Sequence, residues 1–205
     1  LIVKVCGITR LSDIKWLEKM EIDLIGFILY SKSPRKVELE FVDNLCTKLK
    51  KVGVVVDKGV HEIQNIMNKF DFVQLHGDYD FELCKELEAE KVIKVVWPER
   101  YDNVSLLKKE LDIFLPFVKY FLFDAGKSLG GHGRIIEFGE WIKLLKDYPI
   151  FLAGGINPHN LGKILEIGPL GIDLNSGVES RPGIKSKEKV SSILKQINFK
   201  GEKND

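Results

Sequence analysis

Two side chains in this sequence stand where proton-transfer chemistry needs them, each closing a short apolar run: Cys6 after Ile2-Val3-Lys4-Val5, and Asp124 after Phe121-Leu122-Phe123. A thiol at a strand end, followed by the turn-forming Gly7, becomes a competent base if a helix N-terminus or a substrate cation draws its pKa down from about 8.5. A carboxyl partly withdrawn from water tends to keep its proton and can donate it. Arg35, in Lys32-Ser33-Pro34-Arg35, offers a bidentate fork for a carboxylate where lysine would be only a point charge. Gly154-Gly155 and Asn175-Ser176-Gly177 let backbone N–H groups come close to an anion. His76, in Gln74-Leu75-His76-Gly77, is expected to line the same pocket without taking a chemical step.

Each of these residues also has a structural explanation. A free cysteine is commonly a small buried hydrophobe, and Cys46 and Cys84, beside Leu45 and Leu83 on apolar helical faces, are read that way. Asp124 suits a turn or a pairing with Lys127, Arg35 a solvated loop, and any one Gly-Gly a tight turn. The glycine-rich run from Lys127 to Arg134 is equally a mobile cover over a site or a disordered loop. What favours chemistry is that six such segments recur at strand ends.

Those strands follow from short β-branched runs alternating with amphipathic stretches, with no linker or composition break between them. The runs are 2–6, 24–29, 52–56, 72–76, 92–96, 121–124, 150–153 and 171–175. Between them, Val42, Leu45, Cys46 and Leu49 fall at helical spacing, as do Ile63, Ile66, Met67 and Phe70, then Phe138, Trp141, Ile142 and Leu145, then Val190, Ile193, Leu194 and Ile197. Asn157-Pro158 reads as a helix start and Gly168-Pro169 as a stop, so the helix before the last strand is short. Strand-helix alternation predicts parallel βαβ units, closed as a barrel or open as a doubly wound sheet. A single (βα)₈ TIM barrel over residues 1–198 is the expected fold, because only closure brings all the C-terminal strand ends to one face. Residues 199–205 are expected to be a polar, disordered tail.

Lys plus Arg total 31 against 30 for Asp plus Glu, so the net charge of +1 offers nothing to nucleic acid. A small phosphorylated molecule is the expected partner. The odd cysteine count without metal-ligand spacing argues against disulfides and zinc and for a reducing compartment. No apolar run reaches the ~18 residues of a membrane span and no secretory pattern opens the chain, so the cytoplasm is expected.

These segments in this order resemble phosphoribosylanthranilate isomerase. Lys4-Val5-Cys6-Gly7-Ile8-Thr9-Arg10 is similar to that family's opening motif and Ser31-Lys32-Ser33-Pro34-Arg35 to its second loop. Gln74-Leu75-His76-Gly77, Asp124, Gly130-Gly131-His132-Gly133, Ala153-Gly154-Gly155-Ile156-Asn157-Pro158 and Asp173-Leu174-Asn175-Ser176-Gly177-Val178-Glu179 follow. The resemblance implies an Amadori rearrangement without metal or organic cofactor, in a monomer or homodimer. It implies Cys6 as base, Asp124 as acid, Arg35 on the anthranilate carboxylate, Gly154, Gly155, Ser176 and Gly177 at the phosphate, and Asp173 near the sugar. Gly130, Gly131 and Asn175 join the substrate-binding set. The run Arg134-Ile135-Ile136-Glu137-Phe138 and the Asn at 175, where Ser is common, depart from the family pattern. The rivals are a histidine-pathway or bifunctional aminosugar phosphate isomerase, against which Cys6 weighs, and a non-catalytic phosphate-binding barrel.

Overall fold

Val3 and Val5 face one way from the first strand while Ile2, Lys4 and Cys6 face the other, and this period of two organises the protein. The computed structural model describes residues 1–124 and 140–201. Eight parallel strands close into a barrel in sequence order: β1 (Ile2–Val5), β2 (Leu24–Ile28), β3 (Lys50–Val55), β4 (Phe72–Leu75), β5 (Val92–Val96), β6 (Tyr120–Asp124), β7 (Ile150–Ala153) and β8 (Gly171–Leu174). The (βα)₈ TIM barrel expected from the sequence is the fold. Strands buried on both faces need apolar residues almost throughout, which is why the runs are so legible.

Outward-facing Val5, Phe27, Val55, Leu75, Phe121 and Leu152 pack under the helices in one apolar layer. Inward-facing Leu24, Val52, Phe72, Ile93, Leu122 and Phe151 fill the barrel axis in another. Above this apolar filling the axis turns polar, with Lys4, Gln74 and Asp173 all buried. Cys6, His76 and Asn175 follow two residues after these, just past β1, β4 and β8, and Asp124 ends β6 two residues after Leu122, so the alternation puts them at the C-terminal mouth.

The helices are α1 (Leu11–Leu17), α2 (Leu39–Asp43), α3 (Val60–Met67), α4 (Phe81–Lys85), α5 (Val104–Phe114), α6 (Leu161–Ile167) and α7 (Lys187–Gly201). Asp80 caps α4 by accepting from the Leu83 N–H, and Asn103 caps α5 by accepting from the Leu106 N–H. Gly168, with φ of 71°, ends α6 in the left-handed conformation, as the expected stop requires.

Four expectations need correction. The helical spacing from Val42 to Leu49 is not a helix, because α2 ends at Asp43. Glu18 accepts hydrogen bonds from the Thr47 hydroxyl and the Lys48 N–H, and the Lys50 N–H must reach the Asp23 carbonyl to begin β3, so the chain is pulled extended. Cys46 is consequently exposed, not part of the core, whereas Cys84 is buried as expected. Asn157-Pro158 does not start α6. The Asn157 carbonyl accepts from Asn160 and Leu161 in a lead-in turn, and the helix begins at Leu161. The stripe at Trp141, Ile142 and Leu145 lies on a 3₁₀ helix, Glu140–Lys146, with Leu144 and Leu145 buried, and Phe138 falls outside the described residues.

The cysteine correction is testable. Burial pushes the Cys84 thiol up to about 11, and Cys46 stands in water. In native protein near pH 8 a disulfide reagent should modify Cys46 rapidly and Cys84 only on unfolding, which peptide mapping would read directly.

Candidate active site

Cys6 ends β1 with its N–H donating to the Leu174 carbonyl at 2.8 Å, and it is only 3% exposed. Its sulfur occupies space that β2 leaves open at Gly26, where an added Cβ would lie 2.6 Å from Sγ. Lys4, on the same face of β1, is wholly buried, and its Nζ donates to Asp173 Oδ1 at 2.9 Å, its register partner on β8. Burial pushes the Cys6 thiol above its ordinary value; Lys4 opposes this, Asp173 adds to it, and Lys185 opposes it more weakly. The free protein therefore holds a thiol, which needs a further positive charge to become the base that the sequence suggested. The groups that favour ionisation include the buried lysines Lys4 and Lys185, and Arg35 acts in the same sense.

Lys185 comes from a hairpin that the sequence reading missed. Strands β9 (Glu179–Arg181) and β10 (Ile184–Lys185) pair antiparallel just after β8. The hairpin is tied to the opening motif: the Thr9 hydroxyl donates to the Gly183 carbonyl at 2.5 Å, and the Lys185 N–H donates to Asp13 Oδ2 at 3.2 Å. Asp13 is itself buried and paired with Arg10. Lys185 Nζ donates to Glu179 Oε1 at 2.7 Å and to Asn175 Oδ1 at 2.9 Å.

Arg35 does grip a carboxylate, but an internal one. Its Nε donates to both oxygens of Glu179, at 2.9 and 3.1 Å, and its Nη2 to Oε2 at 2.7 Å. The approach is close enough that Gly7, with φ of 72°, admits no side chain. A Cβ there would meet Arg35 Cδ and Asn175 Oδ1, each at 2.8 Å. Cys6, Asp173, Asn175 and Arg35 are thus brought together on the β8-β1-β2 side of the mouth.

Gly154 and Gly155 lie beside them at the end of β7, both with positive φ. The Gly155 carbonyl is held by the side-chain amides of Asn157 and Asn160, at 3.0 and 3.1 Å. Ser176 and Gly177 open a short 3₁₀ turn after β8, and Gly177 presses so closely on the first loop that a Cβ would stand 2.0 Å from the Ile156 carbonyl oxygen. The two glycine segments form one backbone-lined ledge, stiffened by Asn160, which carried no signal in the sequence. Such a ledge, at the β7–β8 end of a barrel, is where phosphates bind in this fold.

Asp124 ends β6, half-buried, three strands round the barrel from Cys6 by way of β7 and β8. His76 at the end of β4 is near enough to feel the Asp124 charge. Burial holds its imidazole below the ordinary 6.5 while Asp124 pulls the other way, so it is neutral at pH 7. Its ring meets Trp97 edge-on at 5.3 Å, an aromatic wall with no earlier signal beyond its place after β5. Gly130 and Gly131 lie outside the described residues.

A thiol and a carboxyl share one mouth with an arginine and two glycine turns, and the chain that carries them matches a known family along the barrel. The family model of N-(5′-phosphoribosyl)anthranilate (PRA) isomerase matches residues 3–196. The chain belongs to the N-(5′-phosphoribosyl)anthranilate isomerase family. It is 43% identical over 201 residues to the enzyme of that name from Maridesulfovibrio salexigens, covering 96% of this chain and 98% of the relative. It is 37% identical over 203 residues to the Aquifex aeolicus enzyme, with 95% and 97% covered. The solved phosphoribosyl anthranilate isomerase of Thermotoga maritima superposes with a TM-score of 0.83 at 28% identity, covering 97% of this chain and 99% of that one. Another solved structure, 28% identical with a TM-score of 0.77 and coverage of 97% and 99%, is a phosphoribosyl anthranilate isomerase in complex with reduced 1-(o-carboxyphenylamino)-1-deoxyribulose 5-phosphate.

In this member of the isomerase family the Glu179 cluster should also be a stability determinant. Burial by itself would raise the Glu179 carboxyl, but Arg35 and Lys185 outweigh it and hold it below 4.5. Its contribution is therefore complete above pH 4.5 and lost as pH falls through the lower folded-state value. Glu179→Ala, which strands two cations, should cost about 3–5 kcal/mol in urea unfolding at pH 7. Its deficit relative to wild type should shrink in acid.

Proposed function

We propose that Cys6 is the base and Asp124 the acid in the Amadori rearrangement of N-(5′-phosphoribosyl)anthranilate to 1-(2-carboxyphenylamino)-1-deoxyribulose 5-phosphate. The observation that carries this reading is that both groups lie on axis-facing positions of one mouth, beside a two-loop glycine ledge. Asp124 gives its proton to the furanose ring oxygen, the C1–O bond breaks, and the nitrogen lone pair forms the C1=N iminium. That cation acidifies the C2 proton. Cys6 removes the proton as the electrons move through C2–C1 to neutralise nitrogen, and the enolamine then takes a proton at C1 as the C2 hydroxyl becomes the ketone. The Schiff-base cation also offsets the cost of a buried thiolate, so Cys6 releases its own proton to solvent as the ring opens and meets the C2 proton as a thiolate.

The phosphate anchors on the N–H groups of Gly154, Gly155, Ser176 and Gly177, and Asp173 faces the sugar. Arg35 takes the anthranilate carboxylate with the donors Glu179 leaves free. Asn175, whose Oδ1 is held by Lys185, offers its Nδ2, and Gly130 and Gly131 complete the binding set, with His76 as a neutral wall. Among the described residues no helix is long and apolar enough to cross a membrane. A cytoplasmic monomer or homodimer acting on a small phosphorylated substrate, and not on nucleic acid, is the matching cellular reading.

Acid and base are each worth about 10² to 10⁴ in rate. Cys6→Ala and Asp124→Ala should fold with wild-type circular dichroism and lose turnover by that factor, followed as the decay of phosphoribosylanthranilate fluorescence. Either variant keeping most of its activity would refute the assignment.

A further inference from the structure

We propose that Lys4 is a positioning residue for the known reaction, a buried cation whose role is to favour the thiolate form of Cys6. The inference rests on the reading of Cys6 as base and goes beyond it by naming what makes the thiol a usable one. Lys4 is fully enclosed, on the inner barrel face where β2 to β5 carry Leu24, Val52, Phe72 and Ile93. Apolar residues filling the same volume are commonly as stable as a buried ion pair, so stability alone does not account for Lys4 and Asp173. Their placement does. Lys4 precedes Cys6 by one full strand repeat on the same face, Asp173 fixes the ammonium from β8 at 2.9 Å, and the gap at Gly26 receives the sulfur from the other side.

The charges around the sulfur are Lys4 on β1, Arg35 after β2, Asp173 on β8, and Glu179 and Lys185 on the hairpin. Asn175 adds a neutral amide and, across the mouth, Asp124 and the neutral His76 face inward. Among these groups the three cations Lys4, Arg35 and Lys185 meet the two carboxylates Asp173 and Glu179, a set that can accept one further negative charge at the sulfur. Lys4 is the largest single influence opposing burial at the sulfur. Reciprocally, burial works against the ammonium, but Asp173 and then Cys6 more than offset it and keep Lys4 protonated.

The test titrates Cys6 by thiolate ultraviolet absorbance, with Cys6→Ser as the blank, and measures kcat/KM against pH. In Lys4→Met the thiol midpoint should rise by about one pH unit or more, and kcat/KM at pH 7 should fall about tenfold per unit and recover as pH is raised. Should the single variant fail to fold because Asp173 is stranded, Lys4→Met with Asp173→Asn removes both charges and should still show an upward shift, smaller than that of the single variant because loss of Asp173 by itself favours the thiolate. An unmoved midpoint, with activity lost equally at every pH, would overturn the proposal. Failure of the underlying reading looks different: there, Cys6→Ala itself keeps turning over. A dead Cys6→Ala beside an unmoved midpoint in Lys4→Met sinks only the role given to Lys4.

Discussion

The arrangement of the mouth depends on one ion pair, Lys4 with Asp173, enclosed inside the barrel. An ammonium with no exposure to water survives only beside a fixed counter-charge, since the desolvation of either ion alone costs several kcal/mol. Asp173 can serve because β1 and β8 close the barrel and place the two residues side by side in register. Closure of the sheet and burial of the pair are therefore one event, and the same event sets the electrostatic surroundings of Cys6 one residue pair further along the axis.

From that pair upward, the mouth is divided by the kind of hydrogen-bond donor it presents. On the β1–β2 side the partners are side-chain cations: Lys4, Lys185 and Arg35, the last two already shared with Glu179. On the β7–β8 side the partners are backbone N–H groups on a ledge whose shape is set by positive φ at Gly154 and Gly155 and by the contact of Gly177 with Ile156. Backbone donors carry no net charge and cannot titrate, so the ledge adds no ionisable group to the surroundings of the thiol. Side-chain cations, in contrast, are coupled to Cys6 and change its chemistry.

The Arg35–Glu179 fork holds a loop arginine rigid at the mouth. A loop arginine free in solution loses much rotamer entropy when it binds, whereas one already held by a bidentate partner has lost it on folding. Gly7 is the steric counterpart of that fork, because only an absent side chain lets Arg35 and Asn175 meet above the end of β1. The hairpin completes the clamp through Thr9 and Asp13, so the opening motif serves the hairpin as much as the strand it follows.

The strands were legible because a parallel barrel buries both faces of each one, and an apolar run bounded by turn residues is what such burial demands of a sequence. Cys6, Asp124, Arg35, His76 and the glycine pairs were legible too, since unusual residue types recurred at strand ends. Helix limits were less so: spacing at Val42 to Leu49 matched a helix, but Glu18 and Asp23, distant in sequence, hold that segment extended. The sequence by itself determined the alternation of elements and the residue types at the mouth, because these depend on local periodicity and composition. Only the tertiary structure decided that Lys4 pairs with Asp173, that Glu179 takes the fork of Arg35, and that Lys185 stands by the thiol. Those partners are brought together by barrel closure across most of the chain, and no local pattern encodes a contact whose two halves are separated by that distance.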